Sequence, residues 1–339
     1  MAMPHFMRKT LILSVAVMAF GCACAGAPSA ARAQGSGASG LPKIWFSPRP
    51  ESSGRAGAAD FMELFQPNAP WPKASSALSA FVLYTPFVHE ASDAQLTTII
   101  RALQQRHIPI GINQGILLRP PPNAHCGHTE GYADIRGNLE RIRTLGGVVA
   151  YLNADEPLWF AHARKAPDAC QTPIRQLATD AATSVRTIQS IFPEIKIGEV
   201  EPITNWRNPQ EMVADVNEWL DAFQAATGRP MAFFGVDLNW GAENRPWQAG
   251  VKALVPELRR RNIPVLAIYD GDSNRRNENT DSGWIRQAQS NAQSFESLVG
   301  RPDIVKFQSW VRWPTHLLPE DKPDTFTNLI LSYVHAHQR

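Results

Sequence analysis

The chain has 339 residues, with 33 Lys and Arg against 31 Asp and Glu for a formal net charge of +2. That balance provides no strong field for nucleic acid or an anionic membrane, so neither is expected as a partner. The length suits two ordinary domains or one large α/β barrel.

The N-terminus carries Arg8-Lys9, an apolar run over 11–20 and the small-residue series Ala31-Arg32-Ala33. This is the order of a secretory signal, so residues 1–33 are expected to be cleaved and the mature protein to be secreted or periplasmic. A flexible leader, 34–43, is expected before the folded part. Two of the four cysteines, Cys126 and Cys170, then remain. In an oxidising compartment they predict one disulfide, ahead of a metal site built from His125, Cys126 and His128.

Taken in order, apolar runs predict strands at 44–46, 80–84, 108–113, 148–155, 195–201, 231–237, 263–270 and 303–310. Each is followed by a helical pattern, as in Leu96, Ile99, Ile100 and Leu103. Helices are predicted at 60–65, from Ser92-Asp93, over 132–145, through 174–188, over 211–226, 251–261 and 285–299, and from Asp324. Eight such units in strict alternation predict a single α/β domain over 44–339, closed as a (β/α)8 TIM barrel. No Gly-rich dinucleotide fingerprint follows the first strand, which argues against an open doubly wound sheet.

In such a barrel the strand ends meet at the C-terminal mouth. They carry Tyr84, Asn113, Asn153 with Asp155 and Glu156, Glu199 with Glu201, Asp237, Asp270, and Gln308 with Trp310. Acids from four strands at one mouth suit glycosidic bond cleavage, which needs one carboxyl to protonate the leaving oxygen and another to attack or activate water. Glu156 is the leading acid, with Glu201, Glu199 or Asp270 as partner and Glu201 favoured because Glu201-Pro202 mirrors Asp155-Glu156-Pro157. Tyr84, Asn113, Asn153, Asp237, Trp240, Gln308 and Trp310 are expected to bind substrate. Trp159, Trp206, Trp284 and Trp313 are further candidates for stacking on sugar faces.

Asn153-Ala154-Asp155-Glu156-Pro157 at the end of a fourth barrel strand resembles the acid/base signature of the large (β/α)8 glycoside hydrolase clan, where Asn-Glu-Pro is common. The chain departs from it at Asp155, which replaces the Asn before the acid, and at Asp270, where that clan has a nucleophilic glutamate. The adjacent Asp155-Glu156 pair is also similar to that of substrate-assisted hexosaminidases, in which the Asp orients the acetamido group and the Glu protonates the leaving group. The resemblance therefore implies a secreted glycoside hydrolase, with an N-acetylhexosaminidase or a non-catalytic carbohydrate-binding barrel as alternatives. A carbohydrate is the expected partner and a monomer the expected state; no cofactor and no metal are expected, although Asp270-Gly271-Asp272 is similar to the start of a calcium loop.

Overall fold

The computed structural model describes residues 40–51, 56–117, 135–241, 247–271 and 280–338. Its eight strands are β1 (Lys43–Ser47), β2 (Leu78–Tyr84), β3 (Ile110–Gln114), β4 (Val149–Asp155), β5 (Lys196–Glu201), β6 (Phe234–Val236), β7 (Val265–Tyr269) and β8 (Ile304–Gln308). They pair in sequence order, all parallel, and β8 returns to β1 to close the barrel. The predicted (β/α)8 fold is therefore the observed one.

The helices are α1 (Pro72–Ser76), α2 (Thr85–Glu90), α3 (Asp93–Gln105), α4 (Ile135–Thr144), α5 (Ile174–Ile191), α6 (Pro209–Thr227), α7 (Trp247–Arg260), α8 (Asp281–Val299) and α9 (Phe326–His337). Local chemistry sets their ends. Ser92 and Gln95 form a reciprocal capping box before α3, and Asn208 Oδ1 accepts from the Gln210 and Glu211 amides before α6. Gly228, at φ 75°, ends α6 in a left-handed turn that glycine adopts without strain. The short helices α1 and α2 and the wide turn Trp159–Ala163 are additions to the predicted elements.

Strand parity divides the core into two layers. Ile44, Phe46, Ile112, Leu152, Val236, Ala267 and Phe307 face outward into the layer between sheet and helices. Trp45, Ala80, Val82, Val200, Phe233, Leu266, Ile268 and Ile304 fill the barrel, with Tyr151 packed against them. Trp45 meets Tyr151 at 4.7 Å and Phe233 at 4.9 Å between ring centroids. Aromatic pairs of this kind add about 0.5–1.5 kcal/mol beyond area burial. Gly198 makes room for them: a Cβ there would lie 2.4 Å from the Phe233 carbonyl oxygen.

The same parity fixes what reaches the mouth. Counting by twos from the filled interior, the inward positions at or near the strand ends are Ser47, Tyr84, Asn113, Asn153, Asp155, Val200, Asp237, Asp270, Lys306 and Gln308. On β5 the inward positions are Lys196, Gly198 and Val200, so Glu199 and Glu201 face outward.

Candidate active site

The floor of the mouth is a hydrogen-bonded polar layer. Asn113 and Asn153 lie side by side in the β3–β4 register, and Asn153 Nδ2 donates to Asn113 Oδ1 at 2.5 Å. Lys306 Nζ donates to the same oxygen at 2.8 Å, while Asn113 Nδ2 donates to Asp155 Oδ1 at 3.2 Å. Lys306 is fully buried, and burial pulls its amine down to about 8, with the charges of Asp155 and Asp237 opposing that fall.

Three acids face inward above this layer. Asp155 ends β4. Asp237 follows β6, its amide donating to Glu201 O at 2.9 Å. Burial pushes the Asp237 carboxyl up to about 6; the Asp155 charge adds to the rise, and Lys306 opposes it. Asp270 follows β7 and has each carboxylate oxygen held by an indole: Trp240 Nε1 at 2.8 Å and Trp310 Nε1 at 2.9 Å. Asp270 thus orients two rings, and Trp310 keeps 49% of its surface exposed at the rim.

Other polar groups complete the lining. The Tyr84 hydroxyl donates to Ser309 O at 2.9 Å, and burial raises its pKa well above the ordinary phenol range. Asn153 Oδ1 and Gln308 Oε1 are buried acceptors with no hydrogen-bond partner among the described residues. A buried acceptor left unmade costs about 1–3 kcal/mol, so two facing one mouth fit a ligand that brings donors.

Glu156 lies one residue past β4 and is half-buried. Its φ of 51° is left-handed, and its backbone is pinned by the Glu156 amide to Val200 O at 3.0 Å and by the Phe160 amide to Glu156 O at 3.2 Å. A non-glycine residue in this region costs about 1–2 kcal/mol. Such positions cluster at functional sites.

The two β5 glutamates, expected as partners of Glu156, face the helices, although the Asp155 charge still reaches Glu201. Glu199 is buried against α6, where Trp219 Nε1 donates to its Oε2 at 2.6 Å; burial pushes this carboxyl up to about 8. Glu201 accepts the Leu158 and Trp159 amides at 2.7 and 3.0 Å, securing the chain that leaves β4. Burial, compounded by the Glu199 charge, raises Glu201 well above the ordinary range. They share an orientation, as alternation requires, but it is toward the helices. The inward acids therefore come from three strands instead of four.

The tryptophans divide similarly. Trp240 and Trp310 belong to the mouth through Asp270. Trp284 is buried against Phe326, and Trp206 is buried with its indole donating to Asp215 and its ring 4.8 Å from that of Trp159. Trp313 is half-buried with Arg312 stacked 5.0 Å from its centroid. Cys126, His125, His128 and Asp272 lie outside the described residues, and with them the expected pairing of Cys126 with half-buried Cys170. Among the described residues no group of three or more His, Cys, Asp or Glu side chains is arranged to hold a metal ion.

Lys306 belongs to the site without being one of the strand-end candidates. Its signal was a cation two positions before Gln308 with apolar neighbours Val305 and Phe307, which is the spacing of an inward polar row.

No family model matches the chain, and no curated protein matches it. Among solved structures it is similar to GH5_18 from Streptomyces cattleya in complex with GlcNAc, at 12% identity and a TM-score of 0.48, over 88% of this chain and 80% of that one. It is similar to a GH128 (subgroup II) endo-β-1,3-glucanase from Pseudomonas viridiflava at 14% identity and a TM-score of 0.45, over 86% and 96% of the two chains. It is also similar to a thiamine phosphate pyrophosphorylase from Pyrococcus furiosus at 11% identity and a TM-score of 0.39, over 88% and 97%. These likenesses carry no argument about the reaction, which rests on the chain's own side chains.

Proposed function

We propose that this chain is a glycoside hydrolase whose acid/base chemistry is run by Asp155 and Asp237. The observation that carries the reading is a pair of inward carboxyls on different strands, close enough to feel each other's charge, one of them pushed up to about 6. A carboxyl that holds its proton near neutral pH can donate to a departing glycosidic oxygen, and its partner can stabilise or attack the oxocarbenium-like centre. Asp237 takes the first role and Asp155 the second. The weight accordingly moves from Glu156 to its neighbour Asp155, whose side chain parity directs inward.

The rest of the lining supports a sugar over other substrates. Trp310 offers an exposed ring fixed in place by Asp270, and the acceptors Asn153 Oδ1 and Gln308 Oε1 suit ligand hydroxyls. A second reading, with Asp155 orienting an acetamido group for Glu156, is favoured by the left-handed backbone that holds Glu156 at the same strand end.

The test is a panel of polysaccharides and aryl glycosides, N-acetylhexosaminides included, with wild type beside Asp155→Asn, Asp237→Asn and Glu156→Gln. The proposal predicts hydrolysis by wild type and its loss in both aspartate variants. Hydrolysis confined to N-acetyl sugars, lost in Glu156→Gln and kept in Asp237→Asn, would select the second reading. No hydrolysis of any substrate would leave a carbohydrate-binding barrel.

A further inference from the structure

Lys306 has no part in the chemistry above, yet it is a fully buried amine inside the barrel. It lies one inward position below Gln308 on β8, level with Trp45 of β1 and Ile268 of β7, and is fully buried. A buried ammonium persists only when paired and hydrogen-bonded. Its direct partner is Asn113 Oδ1, the oxygen that also accepts from Asn153. An ammonium has donors only, so it requires the oxygen of the Asn113 amide on its side. That turns Asn113 Nδ2 toward Asp155, where it donates at 3.2 Å.

We propose that Lys306 is a positioning residue, which fixes the Asn113 amide against Asp155 and whose charge sets the pH range over which Asp237 exchanges its proton. The proposal rests on the reading of Asp155 and Asp237 as the acid/base pair. Toward the mouth, the titratable groups that share the inward face with Lys306 are Tyr84 from β2, Tyr151 and Asp155 from β4, Asp237 after β6 and Asp270 after β7. The same inward parity carries Lys43 on β1 and Lys196 on β5, both exposed at the opening end of their strands, with Lys196 Nζ 5.7 Å from the Tyr151 ring; the inward positions of β3 carry no titratable group. Asp155 and Asp237 are the two whose charges bear on the Lys306 amine. Across the range in which Asp237 exchanges its proton, near 6, the Lys306 amine, drawn down only to about 8, keeps its charge.

The test follows the Asp237 carboxyl by carbon NMR, its resonance assigned by its absence in Asp237→Asn, in wild type, Lys306→Met and Lys306→Gln. The midpoint is expected near 6 in wild type. Without the cation it should rise by roughly 1–3 units, the range for removing a neighbouring opposite charge. Lys306→Gln keeps a donor for Asn113 while losing the charge, so it carries the same expectation should Lys306→Met fail to fold. A midpoint unchanged in either folded variant overturns the proposal. The readout needs no turnover: a shifted midpoint in a chain that hydrolyses no glycan would uphold the electrostatic role and sink the hydrolase reading. In an active enzyme, the pH-rate profile of Lys306→Gln should move with the NMR midpoint.

Discussion

At Asp237 burial, a neighbouring carboxylate and a buried ammonium act on one proton, and their balance has a measurable consequence. The folded-state pKa is raised from 3.8 to about 6, so the neutral acid dominates below that value and is lost above it. If Asp237 is the proton donor, kcat/KM should fall as pH rises through about 6. Asp237→Asn should lose that limb together with about 10²–10⁴-fold in rate, the usual contribution of a general acid. A pH-rate profile flat from pH 5 to 8 would remove Asp237 from the role. This acid was legible in the sequence as a strand-end carboxylate, but its proton was not, because the rise comes from burial and from Asp155, a neighbour set by closure of the barrel.

Among the elements, β5 is the one whose facing is not written in its own residues. Glu199 and Glu201 share a face, and Glu201-Pro202 matches the ending of β4, yet β4 turns Asp155 inward and β5 turns its acids outward. In a parallel barrel both faces of each strand are covered, so apolar residues mark neither face and the phase of alternation is not visible. The phase of β5 depends on partners distant in sequence: Trp219 on α6 for Glu199, and the Leu158 and Trp159 amides for Glu201. This placement predicts a stability effect instead of a catalytic one. Glu199 has a folded pKa raised from 4.5 to about 8, so its contribution is fully present below 4.5 and is lost as pH rises through 8. Glu199→Gln should flatten that part of the stability curve, seen as a smaller drop in Tm between pH 5 and pH 9 than in wild type. An unchanged drop would show that Glu199 is ionised at little cost.

For the whole molecule, alternation of eight apolar runs with eight helical patterns was enough to predict closure, because each strand-helix unit is local and signals itself. What joins the first and last units was hidden, since it consists of single polar contacts between residues far apart in sequence. Asp60 accepts the Leu317 and Leu318 amides, and Glu320 accepts the Lys73 and Ala74 amides at 3.2 and 2.7 Å. Glu320→Ala would leave the Lys73 and Ala74 amides without their acceptor, and the Ala74 amide is buried. A cost of about 1–3 kcal/mol is expected, read as a lower midpoint in urea with unchanged slope; no shift would mean that water replaces the carboxylate freely.

These scales meet in the claim that the barrel works through the inward pair, Asp155 and Asp237, while the β5 glutamates serve the frame. The most direct measurement is turnover of one responsive glycan by Asp155→Asn, Asp237→Asn and Glu201→Gln, each verified as folded. The account predicts that both aspartate variants lose hydrolysis while Glu201→Gln retains a kcat within about tenfold of wild type, a difference of roughly 1.4 kcal/mol in barrier. Abolished turnover in folded Glu201→Gln, with Asp237→Asn still active, would contradict it.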